Sequence, residues 1–376
     1  MKKLLYITAV TKNTEFIGVW KKIKMQENYF IEEGIKLEHF HLIGKNKNFF
    51  RKIWTRLPFT SLYDWSFNIE NLTKYDCIYI RRVNIDYQQL KFLRNIKKLA
   101  PDIKILIEIP TFPYDNEKKF NYSNLPLVLK DRWNRRKINK YIDYILTYSD
   151  DSTIFKIPTL RLSNAINIRN IKAKNVTPSD GSINVIAVAN FAFWHGYDRF
   201  IEGMNEYYKN DNKIIVKLHL VGEGEELEKY KSLVIKYNLQ NYVLFYGKKD
   251  GRELDKIYDK CEIGLDAMGR HRSCIYYNST IKGKEYGAKG LPILSGVKTE
   301  LDYDNCYKYY MRVPPNDSPI EIESVINFYN SIYKTNESKE KVISTIREYT
   351  KKRFDISVTW KKVTEYINEN KKVEVK

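Results

Sequence analysis

The feature that most restricts the fold is an alternation that runs along almost the whole chain: a short apolar run, a stretch with helical periodicity, then another apolar run. KLLYITAV leads into GVWKKIKMQENYFIEEG and then KLEHFHLI. After a basic, aromatic insertion come YDCIYIRRV, DYQQLKFLRNIKKLA, KILIEIP, a basic helical stretch at DRWNRRKINKYI, and DYILTYS. Strands joined through helices run parallel, because the crossover packs a helix onto the sheet between them. A second series begins with INVIAVANF and continues through YDRFIEGMNEYYK, IIVKLHLVG, EELEKYKSLVIKYN, YVLFYG, RELDKIYDKC, EIGLDAM and PILSG. Between the two, residues 169–182 lose periodicity and collect Pro, Ser, Asp and Gly, which marks a linker.

The expected architecture is therefore α/β, with two doubly wound Rossmann-like domains. Residues 1–168 form the first domain and 183–353 the second, and 354–376 form an amphipathic helix and tail that packs back on the first. A length of 376 residues suits two such domains.

Composition narrows the partners. Lys and Arg total 65 against 46 Asp and Glu, a net charge of +19, which favours an anionic partner: nucleic acid, lipid headgroups or a phosphorylated small molecule. No apolar run reaches the roughly 20 residues of a membrane span, and the start lacks a cleavage signature, so a cytoplasmic protein is expected. Cys77, Cys261, Cys274 and Cys306 are dispersed without metal-ligand spacing, so no metal site is expected.

In open α/β sheets ligands bind beyond the carboxyl ends of the strands. In the first domain Gly18 opens a helix after the first strand, where a backbone approach by an anion is easy. In the second, VANFAFWHGYDRF sets Asn190, His195 and Gly196 between a strand and a helix, with an imidazolium facing a phosphate. LVGEGEE offers Gly222. The fourth loop, LDAMGRHRSCIYYNSTIKGKEYGAKG, carries Arg270 and Arg272, then Ser279 and Thr280 as N-cap candidates for a helix through Glu285. Lys282 in the first turn opposes the macrodipole unless an anion binds there; a solvated lysine face is the competing account. Glu285, nearly two turns beyond Ser279, is placed to meet the hydroxyls of a ribose.

Together these residues resemble the GT-B glycosyltransferases, and among them the large retaining family 4. The likeness rests on the glycine-bearing first loop, LVGEG, VLFYG, the acidic strand EIGLDAM, the helix holding Glu285, and the GLP turn. Tyr277 stands where the first Glu of that family's paired-glutamate motif usually lies, and Asn190 and His195 stand where an Arg and a Lys are usual. WHGYDR, GRHR and STIKGKEYGAKGLP are similar to a divergent subgroup of bacterial surface-polysaccharide enzymes, and EIPTFPYDNE to its acceptor-side loop.

The resemblance implies two domains facing a cleft and transfer of a sugar from a UDP- or GDP-type donor, with retention and without cofactor or metal. Arg272, Lys282 and His195 would act on the departing diphosphate. Gly18, Asn190, Gly196, Gly222, Tyr246, Lys248, Arg270, Ser279, Thr280, Ile281 and Glu285 would hold the donor, and Glu108 and Asp115 would meet the acceptor. A lipid-linked acceptor suits the basic aromatic stretches KNKNFFRKIWTR, Lys45–Arg56, and DRWNRRKINK, Asp131–Lys140, as peripheral contacts with an anionic membrane. A nucleotide-sugar epimerase of the same architecture is one alternative. A basic nucleic-acid-binding protein is another, although no recognised nucleic-acid module is present.

Overall fold

The computed structural model describes residues 1–10, 17–45, 49–57, 59–68, 70–115, 125–178, 180–210 and 214–369; of Ile17, Phe49, Arg51 and Lys52 only the backbone is described. Two compact units result: Met1–Leu162 together with the segment from Thr359 onward, and Ser163–Val358.

The first unit is built from β1 (Lys3–Thr8), α1 (Ile17–Glu32), β2 (Lys36–His41), α2 (Phe49–Trp54), β3 (Cys77–Arg81), α3 (Tyr87–Leu99), β4 (Lys104–Ile109), α4 (Leu125–Asn134), β5 (Tyr144–Thr147), β6 (Thr153–Ile154) and β7 (Ile157–Arg161). Its sheet has the order β2-β1-β3-β4-β5-β7-β6, parallel except for the β6–β7 pair. β3 and β4 are buried at every position, as strands covered on both faces must be. The side chain of Asp86 caps α3 by accepting from the amides of Gln88 and Gln89, both at 3.0 Å.

Two features mark this core. The first is a charged centre around Glu108, on β4. Its carboxylate is fully buried and accepts from Arg81 Nη1 at 2.7 Å, Tyr79 at 2.8 Å and Tyr148 at 2.9 Å, with Lys22 Nζ at 3.3 Å. Burial alone would raise its pKa, but Arg81, Lys22 and the two phenols overcome this and hold it down to about 2. Glu108, expected at the acceptor, thus stands inside the domain with its carboxylate turned to these four partners. Asp115 is likewise occupied, by Arg132 and Arg135. Asn116 and Glu117 of the same stretch lie outside the described residues.

The second feature is the return of the chain. Trp360, only 1% exposed, packs its ring 5.5 Å from Phe30 and 6.2 Å from Tyr79. Trp360 lies between α11 (Ile356–Thr359) and α12 (Lys361–Asn368), and Lys104 Nζ donates to the carbonyls of Tyr366 and Glu369. The labels α5 to α10 belong to the second unit.

That unit runs β8 (Ser182–Val188), α5 (Asp198–Tyr208), β9 (Ile215–Val221), α6 (Leu227–Lys236), β10 (Val243–Phe245), α7 (Gly251–Lys260), β11 (Ile263–Leu265), α8 (Ile281–Lys289), β12 (Ile293–Ser295), β13 (Tyr310–Arg312), α9 (Ile322–Tyr333) and α10 (Lys339–Phe354). All six strands are parallel, in the order β10-β9-β8-β11-β12-β13. The strand order reverses between β8 and β11, so the loops that leave these two neighbours diverge and open a crevice at their carboxyl ends. Part of the stretch 169–182 packs on this unit: Ile171, with Ile166 and Ile168 just before it, lies against Ala288 of α8, and the amide of Lys174 donates to the carbonyl of Lys289. Among the described residues no helix is long and apolar enough to cross a membrane.

Candidate functional site

At that crevice the loop after β8 meets the loop after β11. The Met268 amide donates to the His195 carbonyl at 2.7 Å, and the backbones come so close that a Cβ on Gly196 would lie 2.6 Å from the Gly269 nitrogen. Gly196 also has φ +64°, so glycine is required twice over. The contact places His195, Arg270 and the start of α8 around one space.

His195 is 6% exposed, and the Ala192 amide donates to its Nδ1 at 3.0 Å. That fixes the hydrogen on Nε2. Burial, reinforced by the nearby charges of Lys282 and Arg270, pushes its pKa well below the usual value. His195 is therefore a neutral donor through Nε2–H, not the imidazolium suggested by its loop. Arg270 lies with its guanidinium 5.7 Å from the Trp194 ring.

The start of α8 follows capping logic. Thr280, in extended conformation, accepts from the Gly283 amide at 3.3 Å and donates to the Asp266 carboxylate at the end of β11. The other oxygen of Asp266, Oδ1, is buried without a hydrogen-bond partner among the described residues. Lys282 lies within electrostatic reach of this carboxylate. Burial lowers its pKa to about 8, against the pull of Asp266 and Glu285 and with the help of Arg270. Lys284, two residues on, points the other way: it is 2% exposed and pairs with Glu300 at 2.5 Å. One lysine of the helix faces the crevice and the next closes a buried ion pair, which accounts for two lysines near a helix N-terminus.

Several expected site residues have other tasks. Arg272 grips Asp198 with two parallel bonds, at 3.0 and 3.1 Å, and reaches Asp317 at 2.7 Å and the Phe193 carbonyl at 3.0 Å. It fastens the β11 loop to the start of α5; the cations close enough to His195 to act on its charge are Lys282 and Arg270. Ser279 is 1% exposed and accepts from the Asn164 amide at 2.7 Å, leaving the cap to Thr280. The Tyr246 hydroxyl pairs with His219 Nδ1 at 2.9 Å, and His219 Nε2 with Asn184 Oδ1, also at 2.9 Å.

Gly222 is demanded by packing: at φ +136° its Cβ would lie 1.8 Å from the Ala189 carbonyl oxygen. Gly222→Ala should cost about 2–3 kcal/mol; a loss below about 1 kcal/mol in urea unfolding would show that the loop accommodates the methyl. Asn190 and Lys248 are exposed, Ile281 and Glu285 are half-buried, and Gly18 sits in the first turn of α1 with no described atom within 4 Å of an added Cβ. Sequence reasoning missed Asp266; its signal was an acid directly after the apolar run IGL, where a strand ends.

Two cations, a neutral imidazole N–H and a helix N-terminus around one crevice suit an anion with spread charge, such as a diphosphate. Residues 168–265 match the family profile described as "Glycosyl transferases group 1". No curated protein sequence matches the chain.

Among solved structures, a glycosyltransferase from Rickettsia africae is 14% identical over 99% of both chains, with a TM-score of 0.63. Sucrose-phosphate synthase from Thermosynechococcus elongatus is 14% identical over 97% of this chain and 98% of its own, at 0.64. HepE of Anabaena, solved in complex with UDP, is 13% identical over 98% and 99%, at 0.59. At such identities the likeness establishes the fold, two parallel-sheet domains of the GT-B type, and with the family match it supports reading the chain as a GT-B glycosyltransferase.

Proposed function

We propose that the protein is a retaining glycosyltransferase of the family 4 kind that moves a hexosyl unit from a nucleoside diphosphate sugar to a saccharide acceptor without a metal ion. The acceptor is a lipid-linked sugar and the product a bacterial surface glycan, capsule or exopolysaccharide, made at the inner face of the membrane. The observation that carries the reading is the convergence of Lys282, Arg270 and the His195 Nε2–H on the crevice at the start of α8.

Breaking the bond between the anomeric carbon and the diphosphate oxygen leaves negative charge on the phosphate. Fixed donors aimed at that charge stabilise the transition state more than the ground state. Lys282 and Arg270 supply positive charge, and His195 supplies a neutral hydrogen bond. The acceptor oxygen bonds to the anomeric carbon on the face the diphosphate leaves, and its proton passes to a phosphate oxygen, so no side-chain base is required. Glu285, one helical turn from Lys282, accepts from the ribose hydroxyls.

Stabilisation by nucleotides tests the reading first. UDP and GDP, without added metal, are compared with CMP, dTDP and a short DNA strand in thermal unfolding. One diphosphate nucleotide should raise the melting temperature, since a ligand of the native state alone stabilises it. A response to DNA alone, removed by salt, would transfer the charge surplus to the nucleic-acid alternative.

A further inference from the structure

The first unit contains a cavity of about 980 Å³ bordered by α3, α4 and the chain after α2. This is at the upper end of what small-molecule sites enclose. Its apolar surface comes from Leu90, Leu129, Trp133 and Phe59. Phe59 and Trp133 are 80% and 64% exposed, so two large rings at the cavity lie open to water. Four cations, Arg56, Lys91, Arg94 and Lys137, border the same space, and no Asp or Glu does. None of the four forms an ion pair with a described residue. Lys130 also lines the cavity, but its ammonium is spent on the carbonyls of Thr55 and Thr60.

An apolar interior whose only charged border residues are cations matches an amphiphile that joins a hydrocarbon chain to a phosphate. Exposed apolar side chains continue beyond the cavity on and after α2, at Phe50, Ile53, Trp54 and Leu57. Separated apolar residues on a surface need no explanation, but exposed rings at a cavity bordered by cations, with more exposed apolar residues in the chain leading to it, suit a contact surface.

We propose that this cavity admits one acyl chain of an anionic phospholipid from a bilayer, with the lipid phosphate held by Arg56, Lys91, Arg94 and Lys137. The site thereby serves as a membrane anchor in the first unit. The inference stands apart from sugar transfer, and its test uses no donor.

Trp133 provides the readout. The full chain is mixed with vesicles of phosphatidylglycerol or phosphatidylcholine carrying bromine on the acyl chains, which quenches an indole on contact. Trp133→Phe identifies the share of quenching that belongs to this ring among the six tryptophans. The expected result is quenching by the phosphatidylglycerol vesicles whose Trp133 share, the difference from Trp133→Phe, is lost in Leu129→Asp, an exposed position where a charge blocks the chain without disturbing the core.

Replacing Lys91, Arg94 and Lys137 together by alanine should weaken binding to those vesicles about 100-fold, with melting temperature unchanged. Equal quenching by phosphatidylcholine would overturn the phosphate assignment. Vesicle binding without Trp133 quenching would show that the chain stays outside the cavity. Quenching by a brominated prenyl phosphate in detergent, with none from either vesicle, would give the cavity to the acceptor's own lipid and overturn the anchor.

Discussion

Lys282→Met is expected to lower the sugar-transfer rate about 100-fold or more while the protein keeps its fold, the scale seen when one preorganised donor is removed from a developing oxyanion. Methionine preserves the length and the apolar stem and removes the charge. The stability effect should have the opposite sign. The native ammonium loses its proton near pH 8 and the unfolded one near the ordinary lysine value of 10.5, so between these the unfolded state binds more protons. Native stability therefore rises with pH across that window, and at pH 7 the buried charge opposes folding. Removing it should leave the melting temperature unchanged or higher.

The same group gives a pH signature in the wild type: affinity for the diphosphate nucleotide should fall as pH rises through about 8, as the cation is lost. Titration calorimetry at pH 7 and pH 9 on both proteins separates the two effects. A variant that binds the nucleotide as well as wild type, or a wild-type affinity flat across this range, would remove Lys282 from the site.

Glu108→Ala should produce the largest loss of stability, about 3–5 kcal/mol, because it leaves Arg81 and Lys22 buried without their counter-charge. Glu108 has its pKa pulled below the unfolded value, so its contribution is complete above about pH 4.5 and disappears as pH falls toward about 2. Lys22 moves oppositely: burial, aided by Arg81 and opposed by Glu108, brings it to about 7, and stability linked to it rises with pH above that value. Urea unfolding of the first unit at pH 7 measures the substitution. A loss below about 1 kcal/mol would show that water or rearrangement serves the cations instead. Were Glu108 an acceptor ligand on an open surface, the substitution would change activity and leave unfolding nearly untouched.

The architecture was legible because burial on both faces of a parallel sheet writes continuous apolar runs, and the helices between them write their own period. KILIEIP and INVIAVANF are such runs, and each became a central strand. The crevice was legible in outline for a related reason: Thr280, Lys282 and Gly196 sit where strand, cap and helix signals meet. What sequence could not resolve is which polar residue faces which way.

Arg272 and Arg270 differ by two positions in one loop, yet one clasps Asp198 and the other lies beside Trp194. Lys282 and Lys284 share a helix and point to different surroundings. Glu108 ends an apolar strand, the usual place for a ligand-binding acid, but its partners Arg81, Tyr148 and Lys22 come from distant parts of the chain. Pairings between remote residues leave no local period. The cationic cavity has the same origin, since Arg56, Arg94 and Lys137 belong to three different elements. Of the basic stretch around α2, residues 46–48 lie outside the described residues.

The packing of Trp360 against Phe30 and Tyr79 has a consequence for synthesis. On the ribosome the strands of the first unit emerge early, but the tryptophan that completes this part of their packing is made only after the whole of Ser163–Val358. Until then Phe30 and Tyr79 lack their late partner, while the second unit, continuous in sequence, has every residue it needs. Domains generally fold in the order they are made. Here the domain begun first is the one finished last, so a nascent chain stalled before Trp360 would present a folded second unit beside an unfinished first one.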